Sequence, residues 1–516
     1  MMQVLVRVDA SVLLGAGHAA RCLALAIELK RRGHQVVFVM RALPGNLITE
    51  TRAQSFEVLA LADLPSGAAT TQADWIAMAG EVNAQALDAA QTLNALPHRC
   101  WDWVVVDHYA MGVYWHNAVR VITHKLLVVD DQANRPLQCD VFLNQNLGAS
   151  ITRYSGLISP DSLGLLGPTW ALLRPEFSSP ALISGRDQAP SPPRVLVSLG
   201  GADAPCYALQ ILQALADCGV RGGTVKVVAG AANPHALALE QLCRAFGFEF
   251  LASTQAMAQL MARSDWAVGA GGVSLLERCS MGLPSIAVSI AQNQQRGVDA
   301  AGAYGAVIAL NPEIPGFAER LRQAIQVMLT SPEQLKAMSG AGRAICDAKG
   351  AARVVDVLQA GALTLSPAKQ KDEAAIYNWR NAPQTRRYSG DGQAITREQH
   401  HQWLKGVLDN PERRLWIASI ASGPVGVLRF DRSPASVDIS AEISVYRVPG
   451  QQSTGWGKAL ISRGIQEVQM LWPDLQRIDA RISSDNLESL KAFADCGFEE
   501  TAEPGRYQKT IQKVSL

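Results

Sequence analysis

His18 is placed by its neighbours where a base can work, because a glycine turn delivers it to the start of a helix. The segment Ser11-Val12-Leu13-Leu14-Gly15-Ala16-Gly17-His18 leaves an apolar run, Val4 to Val8, and enters a helical pattern from His18 to Arg32 that stops at Gly33, the residue that best tolerates a left-handed C-terminal position. The run Gln35 to Met40 follows at once, so the unit reads strand, helix, strand with parallel pairing. In such a unit the first loop lies at the carboxyl edge of the sheet, where nucleotides and nucleotide sugars bind. The plainer alternative is that Gly15 and Gly17 only make the turn and that His18 caps the helix. The spacing is Gly-x-Gly-His rather than Gly-x-Gly-x-x-Gly, and the second strand does not end in an acidic residue suited to a dinucleotide ribose, which disfavours a nicotinamide cofactor.

A second stretch repeats this logic. Asp265-Trp266-Ala267-Val268-Gly269-Ala270-Gly271-Gly272-Val273-Ser274-Leu275-Leu276-Glu277 runs from an apolar strand through glycines into a helix. Amides freed at that helix start, together with its dipole, suit a diphosphate. Ser274 adds a hydroxyl, and Glu277, one turn further, can accept hydrogen bonds from ribose hydroxyls. Close packing of helix on sheet is the alternative use of such glycines. Asn293-Gln294-Gln295 supplies amides beyond the next strand.

A third stretch lies near the carboxyl terminus. Val437 to Val445 alternates as a strand and is followed by Gln452-Ser453-Thr454-Gly455-Trp456-Gly457-Lys458 and an amphipathic helix through Leu471. Such a loop exposes consecutive amides that can hold a pyrophosphate, although an ordinary loop and cap would read the same. Arg477 to Ser483 reads as the next strand, and Asn486-Leu487-Glu488-Ser489 opens a helix ending at Cys496-Gly497-Phe498. Glu442, on the strand, is a candidate base acting through water.

The elements that must position these residues follow from the apolar pattern. Through the first 350 positions, runs of four to six apolar residues alternate with helical stretches, as fully buried parallel strands do. Polar residues gather after the runs, as in Asp107-His108-Tyr109, Asp130-Asp131 and Asn144-Gln145-Asn146. A Pro- and Ser-rich connector between positions 173 and 193 separates two such series, the second restarting at Arg194 to Ser198 with Leu199-Gly200-Gly201-Ala202-Asp203. Near Ala360 the pattern becomes mixed. The expected domains are residues 1–180, 190–350 and 361–516, consistent with a length of 516 that exceeds one ordinary core.

A net charge of +1 with 18% charged residues disfavours nucleic acid as a partner. Nine cysteines without a Cys-x-x-Cys pair fit a reducing compartment. The amino terminus lacks a signal-peptide pattern and no window approaches a membrane span, so a soluble, cytoplasmic protein is expected, with its oligomeric state left open.

The first 350 residues resemble the UDP-sugar hydrolases of the pseudaminic acid pathway, which are built like two-lobed GT-B glycosyltransferases. The resemblance rests on Asp9-Ala10-Ser11 with Gly15 to Cys22, Asp107-His108-Tyr109, Asp130-Asp131 with Arg135-Pro136, Asn144 to Gly148, Leu172 to Phe177, Gly200 to Asp203, and Gly269 to Glu277. It implies removal of UDP from a 2,4-diacetamido-2,4,6-trideoxy-β-L-altrose by water, with inversion and without a metal. His18 stands where that family's catalytic histidine does, with Asp9, Asp107 and Tyr109 orienting it or the sugar. Gly15, Gly17, Arg21, Asn144, Gly200, Gly201, Gly271, Gly272, Ser274, Glu277 and Asn293 fall in the implied UDP-sugar site. Ala16 departs from the usual Thr or Ser, and Val273 from a small hydroxyl residue.

Residues 361–516 resemble GNAT acetyltransferases, and the branch that N-acetylates sugar nucleotides in the same pathway. Asn378-Trp379-Arg380-Asn381 and Thr385-Arg386-Arg387-Tyr388-Ser389 look like that branch's acceptor side. The likeness implies acetyl-CoA held around Gln452, Ser453, Thr454, Gly455, Trp456, Gly457 and Lys458, with Asn486 and Ser489 beyond, and acetyl transfer to a 4-amino group. Many GNAT enzymes carry a tyrosine acid where this chain has Phe493, so Tyr507, water or no acid must serve. The expected architecture is therefore α/β, two Rossmann-like lobes followed by an α+β domain. The alternatives are a UDP-sugar glycosyltransferase fused to an acetyltransferase, a related nonulosonic acid pathway with an epimeric sugar, and a nucleotide-sugar-binding regulator with degenerate sites.

Overall fold

The computed structural model describes residues 1–62, 71–97, 100–179, 192–200, 206–230, 233, 235–389, 392–433, 439–450 and 453–511. Gly201, Gln452, most of the connector and the beginning of the Val437 to Val445 run lie outside them.

The first sheet holds seven parallel strands: β1 (Gln3–Val8), β2 (Gln35–Arg41), β3 (Glu57–Leu61), β4 (Trp101–Asp107), β5 (Thr123–Val129), β6 (Val141–Asn144) and β7 (Leu163–Leu166). Their order is β3-β2-β1-β4-β5-β6-β7. The second sheet is also parallel, with β8 (Val195–Ser198), β9 (Val225–Val228), β10 (Glu249–Leu251), β11 (Trp266–Ala270), β12 (Ser285–Val288) and β13 (Val307–Leu310) in the order β10-β9-β8-β11-β12-β13. Leu5, Val6, Val104 and Val268 have no exposed surface, as expected of strands covered by helices on both faces.

In each sheet the winding reverses once, between β1 and β4 and between β8 and β11. Loops leaving the carboxyl ends of such a strand pair diverge and open a crevice. The His18 turn leaves β1 and Asp107 ends β4. Gly200 follows β8, and Gly271 and Gly272 follow β11. The glycine segments singled out above thus sit at the two topological switch points.

The third sheet is mixed: β14 (Thr364–Pro367), β15 (Arg413–Ile420), β16 (Gly423–Arg432), β17 (Ser440–Arg447), β18 (Arg477–Arg481), β19 (Glu499–Glu500) and β20 (Arg506–Thr510), ordered β14-β15-β16-β17-β18-β20-β19. β17 and β18 run parallel and pair only from Ser440 opposite Arg477 to Ile443 opposite Ala480. Beyond that point they part, and Ser444 to Arg447 form one wall of a groove.

The helix Gly350–Ala362 begins where the second expected domain ends, and it packs on the first lobe. Val354, Val355 and Leu358 share one core with Leu25 and Leu29 of the opening helix (Gly17–Arg31) and with Trp416, Trp456 and Leu460 of the third unit. A helix's apolar stripe states that one face is buried without saying against which sheet. The Trp103 indole donates to the Leu358 carbonyl at 2.8 Å, and the Asp102 carboxylate accepts from the Ala421 amide at 2.8 Å. The third unit is therefore seated on the first lobe through a common core. Among the described residues no helix is long and apolar enough to cross a membrane.

Candidate active sites

At the first switch point a tight turn, closed by the Gly15 amide on the Ser11 carbonyl at 2.8 Å with Gly15 at φ +76°, sets the opening helix directly after it. No side chain caps that helix start, so its first amides stay available to a ligand. Asp107, fully buried, accepts from Arg21 Nε at 2.5 Å and Nη2 at 2.7 Å. Its Oδ1 also lies 2.6 Å from His18 Nδ1. Burial alone would raise the Asp107 carboxyl, but Arg21 and then His18 outweigh it and hold the group well below the usual carboxylate range. An ionised Asp107 accepts only, so Nδ1 of His18 donates the proton and Nε2 of the neutral ring is left as an acceptor. That tautomer is the one a general base needs.

Around this pair, the Tyr109 ring stands edge-on to His18 at 4.4 Å between centroids, and its hydroxyl donates to Asp131 at 2.8 Å. Asp131 also receives Asn146 at 3.3 Å and lies 3.6 Å from Arg21. Asn293, from the second lobe, donates to the Tyr109 hydroxyl at 3.4 Å, so the two lobes meet at this network.

Among the described residues the second switch point has no comparable ion network. Gly272 caps the helix Val273–Ser280 at φ +71°, a conformation that favours glycine. A side chain on Gly271 would meet Gln294 at 2.8 Å and Val298 at 2.9 Å. Ser274 donates weakly to the Gly271 carbonyl at 3.3 Å, and Arg278 is buried with its guanidinium on the Ala270 carbonyl at 2.7 Å. Glu277 is half-buried. Burial pushes its carboxyl up to about 7, against the pull of Arg174 and Arg278.

The third site is a groove of about 1560 Å³ between the parted ends of β17 and β18. Glu442, Thr454, Gly455, Gly457, Lys458, Asn486, Ser489 and Phe493 all line it. Asn486 caps the helix Leu487–Asp495 by accepting the Ser489 amide at 3.2 Å. Glu442 is 41% exposed and lies 3.5 Å from Arg481.

Residues 362–499 match the family described as Acetyltransferase (GNAT) domain. The carboxyl-terminal part of this chain is a GNAT acetyltransferase domain. The amino-terminal region is similar to two curated proteins. One is the spore coat polysaccharide biosynthesis protein SpsG of Bacillus subtilis, 28% identical over 37% of this chain and 57% of that protein. The other is a UDP-2,4-diacetamido-2,4,6-trideoxy-β-L-altropyranose hydrolase of Campylobacter jejuni, 24% identical over 47% of this chain and 75% of that protein. The chain thus spans little more than half the length of the Bacillus relative. Among solved structures, MurG of Acinetobacter baumannii aligns over 69% of this chain and 99% of its own, at 16% identity and a TM-score of 0.46. Two parallel α/β lobes followed by a GNAT domain are the architecture expected from the sequence.

Several expected site residues have other occupations in the structure. Asp9 is 1% exposed. Its oxygens take two hydrogen bonds from Arg7 at 2.6 and 2.8 Å and one from the Arg41 amide at 2.7 Å, and His108 stands 3.3 Å away. Asp9 therefore anchors the strand end, because a carboxylate already saturated by buried donors has nothing to offer a substrate. Asn144 is likewise committed, donating to Tyr154 at 3.0 Å and accepting the Asn146 amide at 3.1 Å. In the GNAT domain, Ser453 is buried with its hydroxyl on the Gly33 carbonyl at 3.0 Å, and Trp456 is buried against His34. Both hold the domain to the first lobe. The Thr454 amide is given to the Arg32 carbonyl at 2.9 Å, and Gly455, at φ +89°, is hemmed in by Gln359 and Arg32.

Tyr507, on β20, does not line the groove, whereas Tyr446 does. The Tyr446 hydroxyl is buried without a hydrogen-bond partner among the described residues. In the sequence Tyr446 carries no mark, because a tyrosine in an alternating strand reads as packing. Asp131 stands two residues beyond Val129, the register partner of Asp107, and in the sequence it is only one member of a polar cluster after an apolar run. Among the described residues no cluster of His, Cys, Asp and Glu is placed to hold a metal ion.

Proposed function

We propose that the chain is a bifunctional enzyme of pseudaminic acid biosynthesis that acetylates an aminosugar on UDP and then hydrolyses the product. The GNAT domain transfers acetyl from acetyl-CoA to the 4-amino group of UDP-4-amino-4,6-dideoxy-N-acetyl-β-L-altrosamine. The amino nitrogen attacks the thioester carbonyl, the carbon–sulfur bond breaks, and the CoA thiolate leaves and takes up a proton. Glu442, half in solvent, can relay the proton from the amine through water.

The lobes then cleave UDP-2,4-diacetamido-2,4,6-trideoxy-β-L-altropyranose. A water oxygen attacks the anomeric carbon, its proton passes to His18 Nε2, and the bond to the β-phosphate oxygen breaks with inversion. Asp107 stabilises the imidazolium that results, while amides at the Gly272 helix start and the helix dipole stabilise the departing UDP. Glu277 accepts from the ribose. The observation that carries this reading is the His18–Asp107 pair at 2.6 Å, and the likeness to the Campylobacter hydrolase supports the choice of substrate.

NMR product analysis after incubation with the 4-amino UDP-sugar tests it. Free diacetamido sugar and UDP are expected when acetyl-CoA is present and no acceptor is added. UDP release that requires an added sugar or lipid acceptor would instead make the lobes a glycosyltransferase.

A further inference from the structure

We propose that the amino-terminal lobe completes the coenzyme site of the GNAT domain, with Arg31 and Lys349 supplying positive charge to the phosphates of acetyl-CoA. The inference rests on the acetyltransferase reading of the groove and adds to it residues that lie outside the 362–499 match.

The groove has two owners. One wall is the loop Thr454 to Lys458 and the start of the helix Trp456–Leu471. The facing wall is the end of the opening helix and the helix Gly350–Ala362, which present Arg31, Lys349 and Asp356. Buried contacts hold the two walls together. Arg32 donates to Glu28 at 2.8 Å, Asp356 at 2.6 Å and Gln359 at 2.9 Å. Gln359 in turn donates to the Thr454 carbonyl at 2.7 Å, and Lys458 pairs with Asp356 at 2.6 Å. The position of the lobe against the loop is therefore set by packing and hydrogen bonds over a continuous core.

Charge decides what this wall can receive. Ten Lys and Arg residues line the groove against five Asp and Glu, in a chain whose net charge is +1. Such a local excess attracts polyanions, and acetyl-CoA brings a diphosphate and a ribose phosphate. At the shared wall Arg32 and Lys458 are already spent on Asp356 and Glu28. Arg31 donates to both oxygens of Glu28 at 2.6 and 2.7 Å, a carboxylate it shares with Arg32, and remains 63% exposed, and Lys349 is exposed at the cap of its helix. With Arg31, Arg32, Lys458 and Lys349 set against Glu28 and Asp356, this wall keeps a net positive charge, and Arg31 and Lys349 are its exposed members.

The test is steady-state acetyl transfer by the full chain with Arg31→Ala, Lys349→Ala and the double variant, varying acetyl-CoA and salt. The KM for acetyl-CoA is expected to rise about tenfold in the double variant, with kcat within twofold and a shallower dependence of KM on salt. Competition by dephospho-CoA identifies the phosphate: wild type is expected to prefer CoA, and the variant to lose that preference. UDP release from the acetylated substrate on the same preparations reports whether the fold is intact, and Lys349→Glu gives a second, larger perturbation at an exposed position. Unchanged KM and salt dependence in the variants, with wild type fully active, overturn the inference alone. A wild-type chain that neither binds CoA nor transfers acetyl overturns the acetyltransferase reading as well.

Discussion

At the carboxyl edge of the first lobe, His18, Arg21 and Asp107 are tied by hydrogen bonds of 2.5 to 2.7 Å. At the same topological position in the second lobe stand Gly271, Gly272 and Ser274, with the nearby Arg278 turned inward onto a carbonyl. The first arrangement holds one imidazole in one tautomer at the cost of burying charges, which is tolerable only because each is paired. The second keeps side chains away so that a phosphate can approach backbone amides. On the proposed reading, one switch point moves a proton and the other holds an anion. A reaction that cleaves a sugar from a diphosphate requires both.

Substitutions that should affect one switch point and not the other can break this division. His18→Asn is expected to lower UDP release by about two to four orders of magnitude, the usual worth of a general base, while calorimetry finds UDP binding within a few-fold. Near-normal turnover would show that the imidazole is not the base. Asp107→Asn should cost roughly a hundredfold in turnover by freeing the ring to adopt the wrong tautomer. It should also lower stability by about 3 kcal/mol in urea titrations, because Arg21 loses its charged partner in a buried site. Loss of activity without loss of stability would separate the tautomer role from the ion pair.

Gly271→Ala acts on the other side. Its added carbon would press on Gln294 and Val298, and UDP affinity is expected to fall about tenfold with a smaller change in kcat. A fall in kcat alone would place Gly271 in the chemistry instead. The smallest effect is expected from Glu277→Gln. With its carboxyl near 7 in the free protein, Glu277 is protonated below that pH and ionised above it. Ribose hydroxyls donate better to the ionised form, so UDP affinity should rise roughly three- to tenfold from pH 6 to pH 8 in wild type. The variant should lack that part of the pH dependence, and identical profiles would remove Glu277 from the ribose site.

The strand runs, the two glycine turns and the GNAT loop were all legible in the chain, because buried parallel strands and helix starts leave local patterns that need no partner to be seen. The sheet edges were not. β3, β10, β14 and β19 are short or partly exposed, and their pattern is weak without the neighbour that pairs them. Within the site, His18 and Asp107 could each be named from their place after a strand, yet the distinction between Asp107 and Asp9 could not. Both are acidic residues at a strand end, and only the packing of Arg7 and Arg41 around Asp9 shows which carboxylate is already taken. The same holds for Ser453 and Trp456, whose place in a loop motif suggests a coenzyme and whose buried contacts give them to the first lobe.

Local chemistry was thus written along the chain. Glycine spacing, helix starts and apolar runs depend on neighbours a few residues away, and these specify which segments can cradle a phosphate and which residue types stand beside them. Long-range packing alone decided which of those residues are free to act. It placed His18 against Asp107 across 89 positions, brought the helix Gly350–Ala362 back to the first lobe, and set Arg31 and Lys349 on the rim of another domain's groove. Partners so distant in the chain are chosen by the shape and burial of the whole core, and no local window of residues contains that information.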